Sequence, residues 1–142
     1  MLTESRNIVG YCCPYKNSSG DIVSVEEQKA SIRDYVEKHF PEAELTVFED
    51  RDSCENRFEK REGYAEMKRG LDCGRYDTVV FQSFFAFSRP DRRWLMVMEK
   101  LRDSFIRIIS VDDGIDYPIV DVWLTIQVWF LRSCNYIPVE RR

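Results

Sequence analysis

The sequence has little of what usually marks a ready-made chemical site. Its 142 residues include one histidine and only six glycines. Gly10 and Gly20 stand alone, so neither a P-loop nor a dinucleotide fingerprint can be built around them. The five cysteines are odd in number and lack paired metal-ligand spacing. Cys12 and Cys13 are adjacent and would point to opposite faces of a strand, so reduced, structural thiols are expected, with no metal and no cofactor. No apolar run approaches a membrane span and the N-terminus lacks a signal-peptide core, which makes a cytoplasmic location without membrane contact the expectation. A net charge of -4 and a pI near 5.1 exclude a general phosphate-binding surface, though not a local basic patch. No repeat or linker divides the chain.

What is present is the patterning of one soluble domain: 44% hydrophobic and 32% charged residues, enough for a real core. Residues 8–13 read as a buried strand ending in a polar loop at residues 16–20. Ser24 and Glu27 have the form of a capping box, and Val25, Ile32, Tyr35 or Val36, and Phe40 recur at helical spacing behind it. Leu45 and Val47 alternate with polar neighbours as a short strand, and residues 51–62 are a charged loop without periodicity. Tyr64, Met67 and Leu71 begin a second helical face that Cys73 and Gly74 stop. Thr78, Val79, Val80 and Phe81 form a continuous apolar run, as a central parallel strand requires. A third helix is expected from Pro90, with Trp94, Leu95, Met98 and Leu101 as its buried stripe. A strand is expected at residues 105–109, closed by a turn at residues 111–114. The alternation gives an α/β fold: a mainly parallel central sheet of four to five strands flanked by helices. The core is assigned to residues 1–116, and a C-terminal helix and tail to residues 117–142.

In this frame the motifs resemble the catalytic domain of the serine recombinases, the resolvase/invertase family, over almost the whole chain. Tyr11 matches the tyrosine opening the family's Tyr-Ala-Arg-Val-Ser signature. Ser24 and Gln28 resemble the serine and glutamine that begin its first helix. Asp50 falls at the acidic position after the second strand. Arg61, Gly63 and Tyr64 resemble its Arg-Pro-Gly-Phe. Tyr76, Asp77 and Thr78 are similar to the lead into its second arginine motif, whose end is matched by Ser88 and Arg89. Residues 110–116 are close to the family pattern as well. The resemblance implies a resolvase-like sheet and, as the family's activity, DNA strand cleavage and rejoining in site-specific recombination. There a serine hydroxyl attacks the scissile phosphate inside a clamp of arginines, because a pentacoordinate dianionic centre needs both a nucleophile and dense positive charge.

The departures from that pattern carry the functional expectation. Aligned on Tyr11, Tyr15 stands at the serine position and Cys13 at the signature arginine. Phe85 replaces the aspartate and Ala86 the next arginine, while Arg61 and Arg89 are retained. With Phe84 and Phe87 beside Phe85, an aromatic cluster is expected to fill the former crevice or to face a partner. The expectation is a catalytically degenerate domain acting through protein contacts or recombination-complex assembly. The alternative is an active recombinase with a displaced nucleophile: Tyr15, Ser18 or Ser19. A small-ligand-binding α/β domain is a third class, disfavoured by the missing phosphate loop. His39, at a helix end, is expected to be structural. The Arg92–Arg93 and Arg141–Arg142 pairs are expected to be solvated surface charge.

The last helix, residues 119–131, is apolar on nearly every side. A helix covering one sheet edge needs a single stripe, so this one is either buried from several directions or packs on another chain. The second option is the expectation, with Trp123, Ile126, Trp129 and Phe130 as interface anchors to a second copy or a related recombinase. By resemblance a DNA-binding segment would follow Arg142, and DNA binding without it is expected to be weak.

Overall fold

The computed structural model describes residues 5–51, 60–88, 91–117, 127 and 129–132. The expected features at Pro90, Arg89, Trp123 and Ile126 lie outside these residues. Among the described residues the main sheet has five strands: β1 (Asn7–Cys12), β4 (Glu44–Glu49), β5 (Thr78–Phe81), β6 (Arg107–Ser110) and β7 (Ile115–Tyr117). Their order is β4-β1-β5-β6-β7, parallel except for β7, which runs antiparallel to β6 with Ile109 opposite Asp116. Two short strands, β2 (Tyr15–Lys16) and β3 (Ile22–Val23), form an antiparallel ribbon between β1 and the first helix. The helices are α1 (Val25–His39), α2 (Glu62–Asp72) and α3 (Arg92–Asp103). No helix among the described residues is long and apolar enough to cross a membrane.

The period-2 alternation of β1 sorts its side chains to two cores. Val9 and Tyr11, continued by Cys13, join Val79, Phe81 and Ile108 under α2 and α3, against Tyr64, Met67, Trp94 and Met98. Ile8 and Cys12 join Val80 and Ile109 under α1, against Val25, Ile32 and Val36. Gly10 keeps α1 close, since a Cβ there would sit 3.2 Å from the Ile32 side chain. The capping box forms: Ser24 Oγ accepts from Glu27 N at 3.1 Å and Glu27 Oε1 accepts from Ser24 N at 2.9 Å. Gly74, at φ +79, ends the α2 region as its sequence position implies.

Three expectations change. The start of α3 is capped by Asp91, whose Oδ1 accepts from Trp94 N at 2.9 Å. The strand expected from residue 105 begins at Arg107, because residues 101–106 close α3 with a Schellman motif: Ile106 N donates to Leu101 O and Phe105 N to Arg102 O. Phe105 occupies the left-handed position of that motif, at φ 63 and 93% exposed. The polar loop after β1 contains the β2–β3 ribbon, whose two-residue strands are too short to show a period.

Candidate functional site

In an open parallel sheet the ligand crevice lies beyond the strand C-termini where the connections reverse direction. Here that point is the gap between β1 and β5, since β1 connects through α1 to β4 on one side and pairs with β5 on the other. Residues 13–15 leave β1 at this edge and residues 82–88 leave β5.

On the β1 side Tyr11, fully buried, places its hydroxyl between a carboxylate and a guanidinium. It donates to Asp50 Oδ2 at 2.6 Å and accepts from Arg61 Nη1 at 3.2 Å. Burial first, and then the Asp50 hydrogen bond, holds its phenol far above the usual tyrosine range. Asp50 also accepts from Gly63 N at 2.8 Å and Tyr64 N at 2.9 Å, so it caps α2 from outside, where the N-cap residue Arg61 supplies no side-chain cap. Gly63 is required there, because a Cβ would collide with the Glu49 carbonyl oxygen. Arg61 is 8% exposed, and its Nη1 also donates to Ala86 O at 3.3 Å and Phe87 O at 3.0 Å. Of the expected site residues, the structure therefore brings together Tyr11, Asp50, Arg61 and Ala86.

Cys13 is buried, and its backbone is held by Gln28, a fully buried side chain on the apolar face of α1. Cys13 N donates to Gln28 Oε1 at 3.2 Å, and Gln28 Nε2 donates to Cys13 O at 2.9 Å and Val23 O at 3.1 Å. The amide of Gln28 thus continues the backbone pairing where β1 leaves the sheet. Cys12 faces the other core, and burial, then the negative Glu49, pushes its thiol up to about 12.

On the β5 side the polar groups are mostly acidic. Tyr15 is buried and its hydroxyl reaches Asp112 Oδ2 only at 3.5 Å. Burial raises its phenol, and the negative charges of Asp112 and Asp113 raise it further. Gln82 Nε2 donates to Asp112 Oδ1 at 2.6 Å. Asp113 Oδ2 accepts from Ser110 Oγ at 2.6 Å, Phe84 N at 3.1 Å and Ser83 Oγ at 3.4 Å. These bonds fix the 3-10 turn Phe84–Ala86 against the end of β6. Phe84 and Phe87 are fully buried, whereas Phe85 is 37% exposed. Ser18 and Ser19 are exposed in a tight turn in which Asn17 Oδ1 accepts from Ser19 N and Asp21 N.

The terminal segment lies nearby. Residues 127 and 129–132 are helical, and Trp129 and Phe130, both half-buried, pack on the domain's own aromatic cluster. Trp129 lies 4.9 Å from Phe84 and from Trp94, and Phe130 stacks on Trp94 at 5.6 Å. His39 ends α1 with its ring 4.4 Å from Tyr35, away from the crevice, and Arg93 pairs with Asp91 at 3.1 Å. Among the described residues no group of three or more His, Cys, Asp or Glu is placed to hold a metal.

Sequence reasoning placed Gln28, Asp112 and Asp113 within family-like motifs but gave them no structural role. The two aspartates did carry a signal: adjacent acids directly after an apolar strand fall on the C-terminal edge of a parallel sheet. Gln28 carried one too, as a polar residue on the apolar stripe of α1.

Comparison with known proteins agrees with the geometry. By fold the chain is similar to the N-terminal catalytic domain of TP901-1 integrase, with a TM-score of 0.70 at 16% identity, covering 91% of this chain and 92% of that one. It is similar to a resolvase family site-specific recombinase from Streptococcus pneumoniae, with a TM-score of 0.61 at 19% identity over 92% and 90% of the two chains. The C-terminal catalytic domain of ISC1926 TnpA, an IS607-like serine recombinase, gives 0.59 at 17% identity over 74% and 67%. No curated protein sequence matches. The family described as Resolvase, N terminal domain, matches residues 10–127, and by that match this chain belongs to the resolvase family of serine recombinases.

Proposed function

We propose that this recombinase-type domain no longer cleaves DNA and acts instead through protein contacts in a recombination complex. The observation that carries the reading is the use made of Arg61. Its Nη1 donates to the carbonyls of Ala86 and Phe87 and to the Tyr11 hydroxyl, inside the protein. A phosphoryl clamp needs donors aimed at the position where charge develops. Cys13 and Ala86, which stand at the other arginine positions, are buried and bring no positive charge. Tyr15, at the serine position, has a phenol that burial and two carboxylates keep protonated. A phosphodiester approaching it would meet Asp112 and Asp113. Each missing clamp donor costs on the order of 10²–10³ in rate, so the losses compound.

Assembly would run through the terminal helix. Leu131 is 57% exposed there, Trp129 and Phe130 are half-buried, and Trp123 and Ile126 complete the proposed anchors to a second copy or a related recombinase. With a net charge of -4, DNA binding by this chain alone would be weak and would fall steeply with salt.

The test is incubation with supercoiled DNA, with and without magnesium, scored for a covalent protein–DNA adduct and for relaxed product. Neither is expected. An adduct would overturn the proposal, and mapping it to Tyr15, Ser18 or Ser19 would establish the displaced-nucleophile alternative.

A further inference from the structure

A groove runs between α2 and α3, from Met96 at one end to Phe105 at the other. Its volume is about 460 Å³ at the Met96 end and about 580 Å³ at the Phe105 end. Asp72 lines both ends and also a narrower space of about 50 Å³ that reaches the core side chains Met67, Leu101 and Ile106. Tyr64, Ala65, Leu71 and Val97 make the groove largely apolar.

Large apolar side chains stand in solvent at both ends: Met96 is 60% exposed and Phe105 93%. Phe105 also holds φ 63, a left-handed position that a bulky residue adopts at a cost and that glycine takes freely. The buried apolar contact of that turn falls to Ile106, so the fold gains nothing from a phenylalanine at residue 105.

Four cationic and two acidic side chains line the groove, the reverse of the balance in a chain of net charge -4. Lys68 Nζ lies 2.8 Å and Lys100 Nζ 3.7 Å from the Asp72 carboxylate, so two ammonium groups share one counter-charge. Arg69 and Arg93 pair with Glu66 and Asp91 at 4.0 and 3.1 Å. Asp77, at the Phe105 end, accepts from the backbone amides of Arg6 and Asn7. Exposed ion pairs of this kind are weak and exchange readily for a partner's carboxylates. A DNA duplex would meet an apolar surface with little net charge, and a second copy would bring the same cations against these.

We infer that the α2–α3 groove docks an acidic amphipathic helical segment of a partner protein, with its apolar side chains between Met96 and Phe105 and its carboxylates on Lys68 and Lys100. This is helix-in-groove recognition, with apolar anchors giving affinity and the charged rim giving orientation. It holds whether or not the chain cleaves DNA, and it uses a surface separate from the terminal helix.

The experiment titrates the full ¹⁵N-labelled chain with a synthetic peptide of about 14 residues, carrying leucine at i, i+3, i+4 and i+7 and glutamate elsewhere. The same peptide with lysine for glutamate, and a DNA duplex, are the controls. Shifts of the Lys68, Asp72, Val97 and Lys100 amides are expected with the acidic peptide alone. Lys100→Glu is expected to weaken binding about tenfold. Phe105→Gly is expected to weaken it about tenfold as well, while raising the urea midpoint, because glycine relieves the left-handed position. Lost affinity with gained stability separates a docking residue from a structural one. No shifts at about 1 mM peptide would overturn the inference. Equal shifts with the lysine peptide or the duplex would also overturn it, as would self-association through the same amides. Unchanged affinity in both Lys100→Glu and Phe105→Gly would do the same.

Discussion

Tyr11 and Tyr15 lie four residues apart at the same edge of the sheet, both buried and both with phenols held above their ordinary range, yet they are held in opposite ways. The Tyr11 hydroxyl is saturated: it donates to Asp50 at 2.6 Å and accepts from Arg61 at 3.2 Å. The Tyr15 hydroxyl has a 3.5 Å contact with a carboxylate that Gln82 already engages at 2.6 Å. The first is a closed network that also caps α2 through Asp50. The second is a loose contact in an acidic surrounding. Tyr11, Asp50 and Arg61 are the positions that match the family motifs, and Tyr15 is one that departs. The difference teaches that these three residues have structural work independent of phosphate chemistry: without them two N-terminal amides of α2 lose their acceptor and the carbonyls of Ala86 and Phe87 lose a donor.

The comparison breaks most visibly at Asp50. Asp50→Ala removes the acceptor of two α2 amides and of the Tyr11 hydroxyl together, and a loss of about 3 kcal/mol is expected, read as a lower urea midpoint. A change below about 1 kcal/mol would show that the network is dispensable. Next in size are the hydroxyls themselves. Tyr11→Phe should cost about 1.5 kcal/mol, since it withdraws a partner from both Asp50 and Arg61, while Tyr15→Phe should cost no more than about 0.5. Equal losses would erase the contrast.

Alkaline titration tests the same pair from the other direction. A phenol whose pKa is raised by folding contributes stability that is fully present below its unfolded value, 10.0, and is lost as pH rises from there. Stability should therefore fall above about pH 10, because unfolding lets these phenols ionise. Followed by phenolate absorbance, the wild type should show late-ionising tyrosines among its seven, and Tyr11→Phe and Tyr15→Phe should each remove one.

Much of this arrangement was legible in the sequence. Apolar runs located β1 and β5, alternation located β4, helical spacing located α1 and α2, and Ser24 with Glu27 announced a cap that forms as read. The motifs around Tyr11, Asp50 and Arg61 supplied the family. What stayed hidden depends on three-dimensional geometry. Asp50 caps a helix that begins twelve residues later, which no local pattern encodes. Phe105 looks like the first residue of an apolar strand, but the Schellman closure of α3 takes it into a left-handed, exposed position. The expected aromatic cluster does form around Phe84 and Phe87, with Phe85 turned outward to Trp129, an orientation set by a three-residue turn too short to have a period. For Trp129 and Phe130 the expectation is an interface with another chain; among the described residues both also pack on Trp94 of their own domain, a contact that composition did not specify.

The smallest expected effect sharpens the comparison furthest. Asp112→Asn keeps the shape beside Tyr15 and removes one negative charge. Burial would still raise the Tyr15 phenol, but the Asp112 charge and its hydrogen bond, two of the further causes, would be gone. The Tyr15 pKa should therefore fall, whereas Tyr11, whose shift comes from burial and Asp50, should not move. Stability at neutral pH should change by less than about 0.5 kcal/mol, because the 3.5 Å contact is at the limit of a hydrogen bond and the neutral phenol has little to lose. Tyrosine ring-carbon chemical shifts followed with pH in wild type and Asp112→Asn would read both phenols at once. A drop confined to Tyr15 would show that acidic surroundings set this side of the crevice. A drop shared by Tyr11 would mean that the two tyrosines belong to one electrostatic unit, and the division drawn between them would fail.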